Sequence, residues 1–326
     1  MGLLTAIKRE TKYLSAVMRM LKSVKSVDSE SNFGIADELE MRVDKYGDNL
    51  AFIEDEKELT YDDMELYANR VAAWVQAEGC KPGDTVAVFV RNRAEYVPIW
   101  FGLSKVGVIP ALLNYQLAGP ALAHCLNISD SKILILDHEM AAQWEAAKPD
   151  VEADIKVFAA FSEVEGYPSF DLAISNQVPN RPDKAIRANI KAGEQCMKMF
   201  TSGTTGMPKA AKVTHVRAQN YMRGFAAGAN TGPTDRVLLV LPMYHATGGL
   251  CGVGCALNPP QPRYSKYPIP SQGNVIANHR LDCTRAETPN TATRVWRVTP
   301  KPMPRAFSVL ARLPRVRADL TTSAKS

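Results

Sequence analysis

Residues 200–215 read Phe-Thr-Ser-Gly-Thr-Thr-Gly-Met-Pro-Lys-Ala-Ala-Lys-Val-Thr-His. Five consecutive hydroxyl or glycine positions, Thr201, Ser202, Gly203, Thr204 and Thr205, lead into Gly206, Pro208 and Lys209. Glycines let backbone N–H groups approach an anion without side-chain obstruction, and turn conformations aim several such donors at one point. The hydroxyls add donors to phosphate oxygens, and the Lys209 ammonium counters the charge of a triphosphate. The spacing is neither that of the mononucleotide P-loop, which ends in Gly-Lys-Ser/Thr, nor the G-x-G-x-x-G of dinucleotide folds. A Ser/Thr/Gly-rich surface linker is the plain alternative. A linker has no need of Pro-Lys at a fixed offset, and this segment lies between two apolar runs.

Other chemistry-bearing residues are thinly supported. His124, His138 and His279 stand without a partner motif, and His215 closes the 200–215 segment. A lone histidine, His245 included, is more often a structural hydrogen-bonder. Cys251 and Cys255 have no second ligand pair nearby, so they read as small buried side chains and no metal site is expected. No Gly-x-Ser-x-Gly elbow occurs, which leaves an acyl hydrolase unsupported. Arg294–Arg317 is arginine-rich but lacks an aromatic platform, so no nucleic-acid partner is expected.

The elements that must position the segment follow from periodicity. Cys196–Phe200 reads as a strand and the residues after Val213 as the opening of a helix, which puts the loop at a sheet edge. Leu50–Glu54 is a strand. Thr60 with Asp63 begins a capping box, and Met64, Ala68, Val71 and Val75 form the buried stripe of a helix that stops at Gly79. Thr85–Val90 is a buried strand and Arg93–Val106 a helix. Lys132–Leu136, Ile155–Phe161 and Val237–Leu241 are continuous apolar runs, the signature of a sheet covered on both faces. The fold class is α/β, with layered sheets covered by helices. Residues 1–32 hold a basic amphipathic helix in which Leu3, Leu4, Ile7, Leu14, Val17, Met18, Leu21 and Val24 recur at helical steps. Such a helix either lies on an anionic membrane surface or packs on its own domain.

The chain has 326 residues, 46% hydrophobic and 22% charged. That suits a soluble globular protein of about two domains and excludes wholesale disorder or a fibrous repeat. No run of ~20 apolar residues predicts a membrane span. With no signal peptide and only six cysteines, a reducing cytosol is expected. The net charge of +5 conceals a split. Residues 258–326 carry 12 Lys and Arg against 3 Asp and Glu, with 10 of the 21 prolines. That segment is expected to be a low-order tail without regular helices or central strands, and the abrupt change after Leu257 fits a shifted reading frame.

Thr201–Lys209 resembles the phosphate-loop signature of AMP-forming acyl-CoA synthetases, in the adenylate-forming superfamily. Tyr61–Val71 with Gly83–Tyr96 looks like the amino-terminal subdomain of those enzymes. Leu103–Gly107, Ala111–Tyr115 and His124-Cys125 are similar to the very-long-chain acyl-CoA synthetase or fatty acid transport protein branch, although Gln116-Leu-Ala118 departs from its Asn-(Leu/Ile)-Arg. Leu241–Gly249 resembles the next family motif. The resemblance covers residues 33–257, read as a partial AMP-binding domain. Beyond Leu257 no Gly-Tyr-Gly-x-Thr-Glu, ribose-binding Thr-Gly-Asp or lid with its lysine follows, so the later half of such an enzyme is expected to be missing. The resemblance implies a fatty-acid–CoA ligase acting through an acyl-adenylate, with ATP, Mg²⁺ (its ligands not identifiable in this chain) and CoA. It implies a long-chain or very-long-chain fatty acid as substrate, with Thr204, Lys209 and His245 as catalytic residues and Thr201–Gly206 with Lys209 holding nucleotide. The location implied is cytoplasmic, peripheral on the inner face of the cell membrane through residues 1–30. The rival reading is a non-catalytic lipid-binding or uptake protein at that surface.

Overall fold

A computed structural model describes residues 3–24, 28–201, 206–232, 235–257 and 275–278. The first helix is α1 (Leu3–Val24), followed by α2 (Ile35–Tyr46). A hairpin of β1 (Leu50–Glu54) and β2 (Lys57–Thr60) leads into α3 (Tyr61–Ala77). There the expected capping box is present: Asp63 N donates to Thr60 Oγ1 at 3.0 Å and Thr60 N to Asp63 Oδ2 at 2.9 Å. Next come β3 (Thr85–Phe89), α4 (Tyr96–Lys105), β4 (Ile109–Leu112), α5 (Gly119–Asn127) and β5 (Ser131–Asp137). After these follow α6 (Ala141–Ala147), β6 (Lys156–Ala160), α7 (Phe170–Ser175), β7 (Gln195–Thr201) and β8 (Lys209–Thr214). The last are α8 (His215–Ala229), β9 (Arg236–Leu238), α9 (Val253–Leu257) and β10 (Val275–Asn278). Residues 14–281 form one compact unit that holds both sheets.

The larger sheet has the order β6-β5-β3-β4-β7-β8, parallel except for the β7–β8 hairpin. Its continuous apolar strands are explained by two-sided burial. In β3 and the residue after it, Val86, Val88 and Val90 enter the core cluster beneath α3 and α4, while Ala87 and Phe89 enter a second cluster with Leu122, Leu126 and Trp144 of α5 and α6. All five are under 1% exposed, and at ~25 cal/mol per Å² such burial is the main force holding the layers together. The α/β class read from the sequence is therefore the class observed.

The smaller sheet runs β2-β1-β10-β9. Two details differ from the sequence reading. Residues 237–241 do not form a strand buried on both faces: β9 ends at Leu238, Leu239 is buried, and Leu238 and Val240 are 56% and 67% exposed. Side chains alternate along a strand, and only one face of this run meets the core. In addition, Val275–Asn278 pairs in parallel with both β1 and β9, a central strand inside the stretch expected to have none. It falls in a short run free of proline. The other tail residues lie outside the described residues.

A buried ionic cluster joins the helices. Lys105 at the end of α4 is 0% exposed, with Nζ 2.9 Å from Glu40 of α2 and 2.7 Å from Glu65 of α3. Arg187 bonds Asp37 and Glu40 at 2.9 and 2.6 Å. Burial alone would raise the Glu40 carboxyl, but the Lys105 and Arg187 charges outweigh it and hold it below the ordinary 4.5.

Candidate functional site

The hairpin of β7 and β8 places Thr201 directly opposite Lys209 in register, so residues 202–208 are the loop that closes it. Strand β8 is the edge of the sheet, as the sequence reading expected for this loop. Thr201, Gly206 and Lys209 are described and exposed. Ser202, Gly203, Thr204 and Thr205 lie outside the described residues. Gly206 has φ +90°, a left-handed conformation that side chains other than glycine strain to adopt. The loop follows the carboxyl end of a parallel strand, the edge at which open α/β sheets bind ligands.

A tether that the sequence reading left without a role reaches this loop from α5. His124 Nε2 donates to the Pro208 carbonyl at 3.0 Å; a carbonyl can only accept, so the ring hydrogen sits on Nε2. His215, by contrast, stands at the far end of β8 from the loop and is structural. Its Nδ1 accepts the Ile35 N–H at 3.1 Å, it is 6% exposed, and burial pushes its pKa down to about 4. Closing the 200–215 segment gives it no place beside the loop that joins β7 and β8.

His245 lies in the turn after β9. Its exposed ring accepts the Thr247 N–H on Nδ1 at 3.3 Å, which puts a ring hydrogen on Nε2. The turn folds back tightly: Gly249 N donates to His245 O at 2.7 Å, and a Cβ on Gly249 would stand 2.0 Å from Met243 O. What ties this turn to the larger sheet is Asn92, just beyond β3. Its Nδ2 donates to Leu241 O at 2.9 Å and its Oδ1 accepts from Met243 N at 2.8 Å. Tyr244 meets Tyr115, just beyond β4, edge-on at 5.3 Å between ring centroids.

Strands β3, β4 and β7 are neighbours and point the same way. Asn92, Tyr115 and Thr201 therefore leave the sheet at the same edge, and the His245 turn and the Lys209 hairpin are anchored along it. Thr201 and Lys209 are brought together directly; His245 is brought to the edge through Asn92 and Tyr115. The sequence reading missed Asn92 and Tyr115 as anchors, although both sit in the stretches it singled out.

Two further clusters stand at the carboxyl ends of neighbouring strands. A cavity of about 590 Å³ lined by Glu54, Arg93, Glu95, Phe161 and Asp171 opens near the ends of β1 and β6. Among the described residues, Asp137, His138 and Glu139 form the group whose ligand atoms lie within 4.8 Å of one another. Asp137 accepts from Arg91 N at 3.2 Å and lies 3.7 Å from Arg93 Nη1, and Glu139 is paired with Arg91. These acids are already countered. The described residues at the Lys209 hairpin offer amide and ammonium groups, which suit phosphate oxygens, and one hydroxyl on Thr201; no carboxylate, the usual protein ligand of magnesium, stands among them.

Comparison with known proteins matches this geometry to one family. The model of the family described as AMP-binding enzyme matches residues 39–258. Long-chain fatty acid transport protein 6 of Mus musculus is 32% identical over 60% of this chain and 32% of its own length. The medium/long-chain-fatty-acid–CoA ligase FadD6 of Mycobacterium tuberculosis is 31% identical over 67% of this chain and 35% of its own. The anthranilate CoA ligase AuaEII, solved with anthranoyl-AMP, shares the fold with a TM-score of 0.62 at 22% identity, over 71% of this chain and 45% of that one. The chain spans about a third of the length of the curated relatives it matches.

Proposed function

The chain belongs to the AMP-binding enzyme family, and on that premise we propose that residues 33–257 are the nucleotide-gripping part of an ATP-dependent fatty-acid–CoA ligase for long or very long acyl chains. The observation that carries this reading is the β7–β8 hairpin, with Thr201 across from Lys209 at the carboxyl edge of the sheet. Thr201, Ser202, Gly203, Thr204, Thr205 and Gly206 donate to the β- and γ-phosphates of ATP, and Lys209 and Thr204 stabilise charge that builds as a carboxylate attacks the α-phosphorus. His245 Nε2 is the donor to that carboxylate. Mg²⁺ supplies further charge neutralisation in such chemistry, and no step here is assigned to it. CoA is the acyl acceptor.

Calorimetry with a non-hydrolysable ATP analogue tests the reading. The chain should bind it, and Lys209→Ala should weaken binding at least ~10-fold, the worth of one charged hydrogen bond. Absence of association heat from a folded sample overturns it. With ATP, Mg²⁺, oleate and CoA, this chain alone should form little acyl-CoA; robust thioester formation abolished by Lys209→Ala would refute that expectation.

A second reading, a non-catalytic lipid-binding or uptake protein at the inner surface of the cell membrane, rests on α1. Leu14, Met18 and Leu21 lie at helical spacing and are 59%, 66% and 57% exposed, beside Lys22. No helix among the described residues is long and apolar enough to cross a membrane. Flotation with anionic vesicles, lost on Leu14→Gln, Met18→Gln and Leu21→Gln together, supports peripheral contact; no flotation of the native chain removes it.

A further inference from the structure

We propose that His124 is a positioning residue of the phosphate loop, fixing the peptide that joins Pro208 to Lys209; this rests on the nucleotide reading of that loop.

Helix α5 packs by Leu122, Ala123, Cys125 and Leu126, all buried in the second core cluster. That packing leaves His124 half-buried on the flank nearest the β7–β8 hairpin, where its Nε2 meets Pro208 O at 3.0 Å. The contact joins residues 84 positions apart in sequence. Pro208 is the last loop residue before the ladder, which begins with Thr201 opposite Lys209. A peptide unit is planar, so holding its carbonyl oxygen also sets the direction of the following N–H and hence of the Lys209 backbone. Proline contributes a fixed φ at the same point. The loop is thereby held at two places: by the strand pairing and, through the side chain of a helix anchored in the core, at its Lys209 end. An anion site built from backbone donors binds best when those donors are oriented before the ligand arrives. In this arrangement His124 touches neither nucleotide nor acyl group; it acts through the Pro208–Lys209 peptide.

The geometry specifies which substitutions replace it. A glutamine amide nitrogen reaches about as far from Cα as the imidazole Nε2, whereas an asparagine amide stops near Nδ1. His124→Gln should keep the tether, and His124→Asn and His124→Ala should lose it. Two readouts are taken on the full chain. One is the affinity for a non-hydrolysable ATP analogue by calorimetry. The other is amide exchange at Gly206, Met207 and Lys209 without nucleotide. One lost hydrogen bond corresponds to about five-fold in affinity. The alanine and asparagine variants should bind about five-fold more weakly and exchange faster at those amides, while the glutamine variant stays within two-fold of the native chain in both. Equal behaviour of the glutamine and alanine variants overturns the proposal, as does native exchange in His124→Ala. Should the native chain bind no nucleotide, the ligase reading falls, and the exchange pattern alone decides whether His124 holds the peptide.

Discussion

Asn92 bonds two backbone groups of the turn that carries His245, accepting from Met243 N–H and donating to Leu241 O. One side chain beyond β3 of the larger sheet thus fixes a turn that leaves the smaller one. Asn92→Ala leaves a half-buried N–H and C=O without their partner, at a cost of about 1–3 kcal/mol. The melting temperature should fall accordingly, and Asn92→Asp should recover little. An aspartate still accepts from Met243, but it sets a carboxylate against the Leu241 carbonyl. A melt unchanged by Asn92→Ala would show that the turn is held otherwise.

Lys105 is enclosed between Glu40 and Glu65, and removing it leaves Glu40 with Arg187 and Glu65 with Arg181 as the cations beside them. Lys105→Met fills similar space but strips the two acids of their shared cation. Breaking a buried pair costs about 3–5 kcal/mol, and the two arginines offset part of it. Urea unfolding should show the midpoint shifting down with an unaltered slope. A shift below ~1 kcal/mol would mean that the arginines alone compensate both acids.

The same cluster sets the acid limit of stability. For Asp37 and Glu40 desolvation acts upward, and the neighbouring Arg187, Lys105 and Lys184 charges, with hydrogen bonds, bring both below their ordinary 3.8 and 4.5. A carboxyl depressed in the fold stabilises above its unfolded pKa and loses that contribution as pH falls through its folded value. Stability should therefore drop as pH passes below about 4.5, and Lys105→Met should flatten that drop.

His215 acts in a higher window. Its folded pKa of about 4 lies below the ordinary 6.5 because burial disfavours the charged ring. Between those values the unfolded chain binds the proton and the folded chain does not, so stability declines as pH falls from 6.5 through about 4. The full loss is ~3 kcal/mol. His215→Asn retains an acceptor for Ile35 N–H and does not titrate. Denaturation midpoints measured from pH 7 to 4 should lose this slope in the variant; a persisting slope would place its origin elsewhere.

Leu238, the last residue of β9, and Val240, two residues beyond it, are exposed at the edge of the smaller sheet. Exposed apolar residues on an edge strand favour association. Light scattering should show self-association that Val240→Lys reduces. A monodisperse native chain would rule out this edge as a sticky surface.

What the sequence discloses here is what is local. The Thr60–Asp63 cap, the α3 stripe and β1 depend on residues within a turn or two, and each is found where its pattern puts it. The β7–β8 hairpin is legible because Thr201 and Lys209 belong to one contiguous motif. The tethers are not. Asn92 and His124 acquire their partners only because β3, β4 and β7 lie side by side, an order that no spacing in the chain encodes. The run 237–241 misleads because an uninterrupted apolar segment does not say how many of its faces will be covered. The ionic cluster escapes notice for the same reason as the tethers, since Lys105, Glu40 and Arg187 meet only through helix packing.

Because Asn92 holds main-chain atoms alone, its grip is indifferent to which side chain Leu241 carries, whereas Tyr244 is engaged through its ring by Tyr115. Leu241 can be exchanged for another residue while the turn keeps its path. Variation there offers a route to reshaping the surroundings of His245 without unfastening the scaffold underneath.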